Sequence, residues 1–263
     1  MRALEGVVPL ITFMGTGFHD VTMEESLGLV DEYVRSGLPH RIFSANVACL
    51  VEAKDDPFMR SFYKGCDLLT VDGMGVLYAG KLLGYRFRET VATSYLTLRL
   101  LEEASKRSYR IYLLGSKPAY LRLALQHIQD RYPGVDIVGS HHGYFAKEDE
   151  PLVVKQIANL RPDILLIGIS TPLKEQFVFR NFSELNAAVQ IGVGGTIDVL
   201  AGVIRLPPPW IRIIGMEWVF RLSQEPRRFW KRYCRTNLIF SFLVARECVH
   251  RCLGYTSQKV DHA

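Results

Sequence analysis

The chain has 263 residues, of which 48% are hydrophobic and 22% are charged. This composition is typical of a globular protein, and it excludes a disordered chain, a collagen-like repeat and a coiled coil. A chain of this length can bury a large core without disulfide or metal cross-links. The formal net charge is +5, and it is concentrated near the C-terminus.

The basic segment covers residues 205–251. It holds ten basic and three acidic residues, so its net charge is +7 and the rest of the chain sums to −2. A strongly basic segment suits a partner that carries phosphate, which leaves a nucleic acid, a nucleotide or an anionic membrane surface as candidates.

Five cysteines are present and none forms a Cys-x-x-Cys pair. The first residues contain Glu5 and a short apolar run without a typical signal cleavage site. We therefore expect a reduced, cytoplasmic protein. Cys248, His250 and Cys252 do not have a usual zinc spacing, so we interpret them as buried or interfacial groups and predict no metal site.

Short apolar runs alternate with segments that carry helix signals, which is the order of βα units. The runs predicted to form strands are Val8–Phe13, Arg41–Ser44, Leu68–Val71, Arg110–Leu114, Val135–Gly139, Asp163–Ile169 and Ala188–Val193. Helix signals predict a helix capped by Thr22, one over Gly73–Leu83, one capped by Thr93 or Ser94, and one over Lys117–Tyr132.

Several strand runs, such as R-I-Y-L-L-G at 110–115, are apolar on both faces. Such runs are typical of parallel strands that helices cover on both sides. We therefore predict an α/β fold, with a Rossmann-like, doubly wound, mostly parallel sheet in residues 1–204. A basic, helical C-terminal appendage is predicted for residues 205–263.

In such folds the ligand lies at the carboxyl ends of the strands, so the residues after each strand carry the functional information. These are S-A-N at 44–46, D-G-M-G at 72–75, G-S-K-P at 115–118, H-H-G-Y-F at 141–145, S-T-P-L-K-E at 170–175 and G-G-T-I-D at 194–198. Glycines here allow a ligand to approach the backbone. Neither GxGxxG nor GxxxxGK[ST] occurs in the sequence, so the dinucleotide and P-loop fingerprints are absent.

Seven motifs carry a resemblance to a known family: S-A-N at 44–46, D-G-M-G-V at 72–76, H-H-G-Y-F at 141–145, R-P-D-I-L-L-I-G at 161–168, I-G-V-G-G-T-I-D-V-L-A-G at 191–202, L-P-P-P-W at 206–210 and E-W-V-F-R-L-x-x-E-P-R-R at 217–228. They resemble the WecG/TagA/CpsF family of bacterial glycosyltransferases, which build lipid-linked precursors of surface polysaccharides. The resemblance covers nearly the whole chain and rests on the order and spacing of the motifs. Among members, the chain looks most similar to xanthan-type enzymes, which add the second sugar to a polyprenyl-diphosphate-linked glucose.

The resemblance implies an inverting transfer from a UDP-sugar, here predicted to be UDP-glucose with a β-1,4 linkage, to a sugar on undecaprenyl diphosphate during exopolysaccharide assembly. It implies no metal or other cofactor and no nucleic-acid partner. It also implies a peripheral, monotopic protein on the cytoplasmic face of the bacterial inner membrane, whose appendage touches the anionic membrane surface and completes the site.

Asp72 follows a strand and precedes Gly73. The family resemblance implies that Asp72 is the general base, which takes the proton of the acceptor hydroxyl and contributes about 10²- to 10⁴-fold to the rate. The alternative is an Asp that caps the helix over Gly73–Leu83.

Ser44 and Asn46 are predicted to donate hydrogen bonds to a sugar or a diphosphate, with helix capping as the alternative. Tyr144 is implied to lie beside the uracil ring, where stacking is favourable, with an exposed turn as the alternative. His141 and His142 are adjacent on a strand, so we expect them to point to opposite faces and to be structural or solvent-facing.

Asp198 is predicted to accept hydrogen bonds from ribose hydroxyls, and its alternative role is an acid in the first turn of a helix. Gly73, Gly115, Gly194 and Gly195 are predicted to be substrate-binding positions, because glycines at strand ends allow a ligand to approach the backbone closely.

Two positions depart from the family pattern. Lys174 stands where a glutamine is usual near the donor, and Thr90 stands where an arginine is usual. We expect Lys174 to supply the missing charge to the diphosphate or the donor sugar.

The C-terminal segment interleaves basic residues with aromatic ones, and its longest apolar run, Leu238–Ala245, is shorter than the roughly 20 residues of a spanning helix. This pattern favours an interfacial helix at a membrane, with Arg212, Arg221 and Arg228 implied to reach the substrate diphosphate. The alternatives are a solvated basic face, a dimer interface or an RNA-binding surface, although no known RNA-binding motif accompanies the segment.

Two other functions remain open from the sequence. One is transfer of N-acetylmannosamine, or of its uronic acid, from UDP to lipid-linked GlcNAc. The other is a non-catalytic partner that binds a nucleotide or a polyprenol.

Overall fold

A six-stranded parallel sheet forms the centre of the protein, whose computed structural model describes residues 8–253. The strands are β1 (Leu10–Phe13), β2 (Thr16–His19), β3 (His40–Ala45), β4 (Leu68–Val71), β5 (Arg110–Gly115), β6 (Asp136–His141), β7 (Ile164–Gly168) and β8 (Val189–Gly192). The sheet has the order β4-β3-β8-β7-β5-β6 and every pairing in it is parallel.

Helices cover both faces of this sheet. They are α1 (Met23–Ser36), α2 (Val47–Asp55), α3 (Pro57–Lys64), α4 (Met74–Leu82), α5 (Thr93–Arg107), α6 (Pro118–Arg131), α7 (Glu150–Leu160), α8 (Leu173–Asn181), α9 (Thr196–Leu200), α10 (Pro209–Ile213), α11 (Glu217–Gln224) and α12 (Pro226–Cys252). One core joins the sheet to α2, α3, α7, α8 and α12, and the other joins it to α1, α5, α6 and α9. The predicted doubly wound α/β fold is confirmed.

Local signals explain where several elements begin. Thr22 accepts a hydrogen bond from the Glu25 backbone at 3.2 Å, and the Glu25 carboxylate accepts one from the Thr22 backbone at 2.9 Å. This reciprocal capping box fixes the start of α1, as the sequence predicts.

The first predicted strand has a different role from the other six. Met14 and Gly15 both have positive φ, at 49° and 79°, and they form a two-residue turn that pairs Leu10–Phe13 antiparallel with Thr16–His19. A turn of this length can join only antiparallel neighbours, so β1 and β2 form a separate hairpin and not part of the parallel sheet.

The predicted cap of α5 by Thr93 or Ser94 is wrong. The residue before the helix is Ala92, which makes no side-chain cap bond. The Thr93 hydroxyl instead donates to the Gly192 carbonyl oxygen at 2.9 Å, so it joins α5 to the end of β8.

The C-terminal segment packs closely against the sheet domain. Phe240 and Val244 of α12 are buried in the same core as α2 and α3. Arg232 forms an ion pair with Glu52 of α2 at 2.9 Å, and Arg251 donates to the Tyr85 hydroxyl at 2.9 Å. None of the helices within residues 8–253 is long and apolar enough to cross a membrane.

The burial of α12 predicts that Phe240→Ala destabilises the whole protein. Phe240 is 7% exposed, whereas Phe242 on the same helix is 66% exposed. Phe240→Ala should lower the free energy of unfolding by about 3 kcal/mol, and Phe242→Ala should change it by less than about 0.5 kcal/mol. Urea unfolding of both variants measures the difference; equal losses would show that α12 does not share the core.

Candidate active site

Two polar side chains meet where neighbouring strands end. Ala45 pairs with Val71 in the parallel register of β3 and β4, so the next residues, Asn46 and Asp72, lie side by side. The Asn46 amide donates to the Asp72 carboxylate at 3.4 Å. The Asn46 side-chain oxygen accepts from two backbone N–H groups of α2, at 3.0 and 3.2 Å. Asn46 therefore caps α2 and presents its NH₂ group to Asp72.

Asp72 itself does not cap a helix. The residue before α4 is Gly73, with φ of 82° and no side-chain cap bond at this end of the helix, so the capping alternative for Asp72 is wrong. Burial raises the pKa of Asp72 above its ordinary value, and the Asn46 hydrogen bond and the charge of Lys174 oppose this rise. A raised carboxyl pKa suits a general base, because it makes proton acceptance more favourable.

Asp72 lies in the wall of a cavity of about 220 Å³ between the sheet domain and the C-terminal segment. The wall on the sheet side includes Asn46, Asp72, Gly73, Ser94 and Tyr95. The opposite wall includes Leu206, Glu217, Trp218, Arg221 and Tyr233. The cavity is therefore complete only when the C-terminal helices lie on the sheet domain.

Glu217 is a cavity residue that the sequence analysis did not single out. A methyl group on Gly73 would lie 3.9 Å from the Glu217 carboxylate, and Arg212 is 3.8 Å from its other oxygen. Burial and the nearby negative charge of Asp72 raise the pKa of Glu217 to about 7. The sequence feature that could have pointed to Glu217 is that it is one of only three acidic residues in the basic segment, which holds ten basic residues.

The predicted donor-binding residues lie at the ends of the central strands. Gly194 has φ of 53° and open space around it, whereas a side chain on Gly195 would lie 3.0 Å from the Arg221 guanidinium. Ser116 donates a hydrogen bond to the Asp198 carboxylate. These contacts bring Arg221 of the C-terminal segment to the glycine turn after β8.

Gly115 and Tyr144 are close to the same edge. A side chain on Gly115 would begin 2.5 Å from the Gly168 backbone, so β7 alone already requires glycine there. The Tyr144 side chain is 67% exposed, as expected both for stacking on a uracil ring and for an exposed turn. The expected opposite orientation of His141 and His142 is wrong: β6 ends at His141, and the two rings lie 4.6 Å apart.

Three predicted arginines divide between the two parts of the site. The Arg212 guanidinium lies over the Tyr95 ring at 4.4 Å, close to Asp72 and Glu217. Arg221 and Arg228 both pair with Glu225, at 2.7 and 3.1 Å, and Arg228 also donates to Ser170 after β7 at 3.3 Å. Arg212 therefore faces the Asp72 side, and the other two face the strand ends of β7 and β8.

Lys174 is buried and Ser44 is half-buried. The Lys174 ammonium group is 2.6 Å from Glu175 and donates to Thr171 at 2.5 Å, and both members of the ion pair are buried. The Ser44 hydroxyl accepts from the Thr93 backbone at 3.4 Å. Direct contact of either residue with a substrate remains a prediction. Within the described chain, no three His, Cys, Asp or Glu side chains are grouped to hold a metal ion.

The buried ion pair predicts a specific pattern of stability. Lys174→Met leaves the Glu175 charge buried without its partner, and should lower the free energy of unfolding by about 3–5 kcal/mol. The double variant Lys174→Met/Glu175→Gln removes both charges and should recover most of this loss. Thermal unfolding of the two variants measures both changes in stability. A Lys174→Met variant as stable as the wild type would contradict the pairing of Lys174 with Glu175.

Glu217 predicts a dependence of stability on pH. The groups that face it are Asp72 after β4, Tyr95 of α5 and Arg212 of α10. Folding raises the pKa of Glu217 from 4.5 to about 7, so the folded protein holds this proton more tightly. The resulting stabilisation is present below about pH 4.5 and is lost as the pH rises through 7.

Glu217→Gln should therefore be more stable than the wild type at pH 8 by about 1–2 kcal/mol, and the gain should shrink at pH 5. This is less than the full pKa change implies, because the side chain is 25% exposed. Urea unfolding at both pH values tests it, with Glu247→Gln on α12 as the control. A constant difference between pH 5 and pH 8 would refute this assignment.

The whole described chain matches a known family. Residues 11–252 match the model of the "Glycosyl transferase WecG/TagA/CpsF family". This match covers both the sheet domain and the C-terminal helices, and it agrees with the resemblance inferred from the motifs.

Similar curated proteins include several named N-acetylglucosaminyldiphosphoundecaprenol N-acetyl-beta-D-mannosaminyltransferase. The Bacillus subtilis (strain 168) protein is 31% identical over 191 residues, which are 73% of each chain. The Staphylococcus aureus (strain MW2) protein is 26% identical over 239 residues, covering 89% of this chain and 90% of its own.

Proposed function

Because this chain belongs to the WecG/TagA/CpsF family and is a glycosyltransferase, we propose that it transfers N-acetylmannosamine from UDP to GlcNAc on undecaprenyl diphosphate. The relatives' names support this donor sugar and this acceptor. They favour the second of the predicted functions over the xanthan-type glucose transfer that the sequence analysis placed first.

The observation that carries the proposal is the position of Asp72 in a cavity beside the strand ends. The acceptor hydroxyl attacks the anomeric carbon of the donor sugar while the bond between that carbon and the UDP oxygen breaks. UDP leaves with the bonding electron pair, and Asp72 takes the proton of the hydroxyl. Attack from the side opposite the leaving group inverts the anomeric centre.

The donor is proposed to bind at the turn after β8. Gly194 and Gly195 carry no side chain there, and Asp198 is proposed to accept hydrogen bonds from ribose hydroxyls. Arg221 lies beside this turn, and Arg228 contacts Ser170 after the neighbouring strand β7. Both arginines are proposed to neutralise the charge that develops on the UDP leaving group. Tyr144 is proposed to stack on the uracil ring.

In this proposal, the charge of Lys174 acts on the catalytic base, Asp72. Its ammonium group is buried and paired with Glu175, and its charge holds the pKa of Asp72 lower than burial alone would. Lys174 therefore acts as a positioning residue that adjusts the base, in addition to any contact with the donor.

The C-terminal segment is proposed to bring the enzyme to a lipid surface. Trp210, Ile213 and Ile214 are 63%, 66% and 57% exposed, close to basic Arg205 and Arg212. Exposed apolar side chains beside basic ones favour peripheral binding at an anionic interface. Such binding would place the cavity next to a lipid-linked acceptor.

The role of Asp72 predicts the effect of Asp72→Asn. The variant should fold and bind UDP as the wild type does, because its shape is unchanged, but its turnover should fall by about 10²-fold or more. The measurement is transfer from UDP-N-acetylmannosamine, with UDP-glucose in parallel, to a short-chain polyprenyl-diphosphate GlcNAc. Wild-type turnover in the variant would exclude Asp72 as the base, and transfer from UDP-glucose alone would exclude the proposed donor.

The exposed apolar residues predict weaker lipid binding in Trp210→Ser/Ile213→Ser. Sedimentation with anionic vesicles should decrease by at least about 10-fold, and residual binding should weaken as salt rises. The control is Leu123→Ser on α6, which removes an apolar side chain of the sheet domain that is 40% exposed. Equal vesicle binding by all three proteins would exclude this surface.

A further inference from the structure

The cavity contains a second carboxyl group whose function the transfer chemistry above does not use. Glu217 is the first residue of α11 and faces Gly73, next to Asp72. Its nearest cation, Arg212, is 3.8 Å away, which is beyond hydrogen-bond distance. Within residues 8–253 the Glu217 carboxylate pairs only with Arg212, at a distance too long for a hydrogen bond, so it can still bind a ligand.

A phenol lies in the opposite wall, on the sheet side of the cavity. Tyr95 lines the cavity. Its hydroxyl is buried and makes no hydrogen bond of normal geometry with the described residues, although the neighbouring Arg212 guanidinium interacts with it. Buried polar atoms normally have partners, and leaving one without a partner costs about 1–3 kcal/mol. Together with Glu217 and Asp72, this hydroxyl gives the cavity three polar groups that have hydrogen-bonding capacity left for a ligand.

These groups suit a sugar ring, which presents hydroxyls on adjacent carbons. One carboxylate, Asp72, is needed for the hydroxyl that attacks. We propose that Glu217, assisted by Tyr95, binds a second hydroxyl of the acceptor sugar and so fixes the sugar in the cavity. This inference rests on the proposed function, and it makes Glu217 a substrate-binding residue supplied by the C-terminal segment.

The charge state of Glu217 supports this role. A pKa of about 7 means that near neutral pH the group exchanges between a form that donates a hydrogen bond and one that only accepts. A neutral Glu217 also avoids repulsion from an ionised Asp72 across the cavity. The acceptor sugar can therefore bind while Asp72 remains available as the base.

A different role for Glu217 is to orient Arg212 toward the diphosphate of the acceptor. The two roles differ in which part of the acceptor they affect. Direct binding of the sugar requires the GlcNAc ring, whereas orientation of Arg212 acts equally on a lipid diphosphate that has no sugar.

The test measures binding of acceptors in the absence of donor. The wild type, Glu217→Ala, Tyr95→Phe and the control Glu247→Gln are titrated with a short-chain polyprenyl-diphosphate GlcNAc and with the same diphosphate without sugar. Three further acceptors lack the hydroxyl at C3, C4 or C6. Tyr95→Phe removes one oxygen atom and keeps the ring, so it tests the cavity even if Glu217→Ala does not fold.

We expect Glu217→Ala to weaken binding of the GlcNAc acceptor by about 10- to 100-fold and Tyr95→Phe by about 3- to 10-fold, as for lost hydrogen bonds to a charged and a neutral group. Neither variant should change binding of the sugar-free diphosphate, and Glu247→Gln should match the wild type. One deoxy acceptor should bind equally weakly to the wild type and to Glu217→Ala, because the contact is already absent.

Three results would overturn the inference. Unchanged binding of the GlcNAc acceptor by Glu217→Ala and Tyr95→Phe would remove the contact while leaving the proposed function intact. Equal losses with and without the sugar would assign Glu217 to Arg212 and the diphosphate. A wild type that binds the GlcNAc acceptor no better than the sugar-free diphosphate would reject the proposed acceptor, and the role of Glu217 with it.

Discussion

The apolar strip of α12 holds the C-terminal helices against the sheet, and the cavity depends on that contact. Phe240 and Val244 enter the same core as α2 and α3, and the ion pair between Arg232 and Glu52 lies beside them. Because α11 precedes α12 directly, this packing also fixes Glu217 over Gly73. The protein therefore builds its cavity from two chain segments, and neither contains all of the polar groups.

Electrostatics within this cavity follow from burial. Asp72 and Glu217 are two carboxyl groups in one partly buried space, and burial raises the pKa of each. Arg212 faces them from the C-terminal side, and the buried pair of Lys174 and Glu175 lies beside Phe43 of β3. This arrangement leaves one carboxyl available as a base and the other near its titration point at neutral pH.

The sequence predicted the parallel sheet well, because strands such as β5 and β7 are short runs that are apolar on both faces, and helix signals separate the runs. It also placed Asp72 and Asn46 at strand ends, where parallel register brings them together. The hairpin of β1 and β2 was missed because Met14-Gly15 is a weak turn signal. Glu217 was missed because its neighbours in the cavity, such as Asp72, lie about 145 positions earlier in the chain. A local sequence pattern carries no information about such long-range contacts. The sequence predicted that Thr93 caps α5, but its hydroxyl donates to the Gly192 carbonyl oxygen of β8 instead.

The central claim is that the acceptor sugar enters the cavity between Asp72 and the C-terminal helices while UDP occupies the turn after β8. An experimental structure of Asp72→Asn with UDP and a short-chain polyprenyl-diphosphate GlcNAc tests it most directly. The account predicts a sugar hydroxyl within about 3 Å of the residue 72 side chain and UDP phosphates beside Gly194 and Gly195. An acceptor sugar bound outside this cavity, or UDP bound away from that turn, would contradict it.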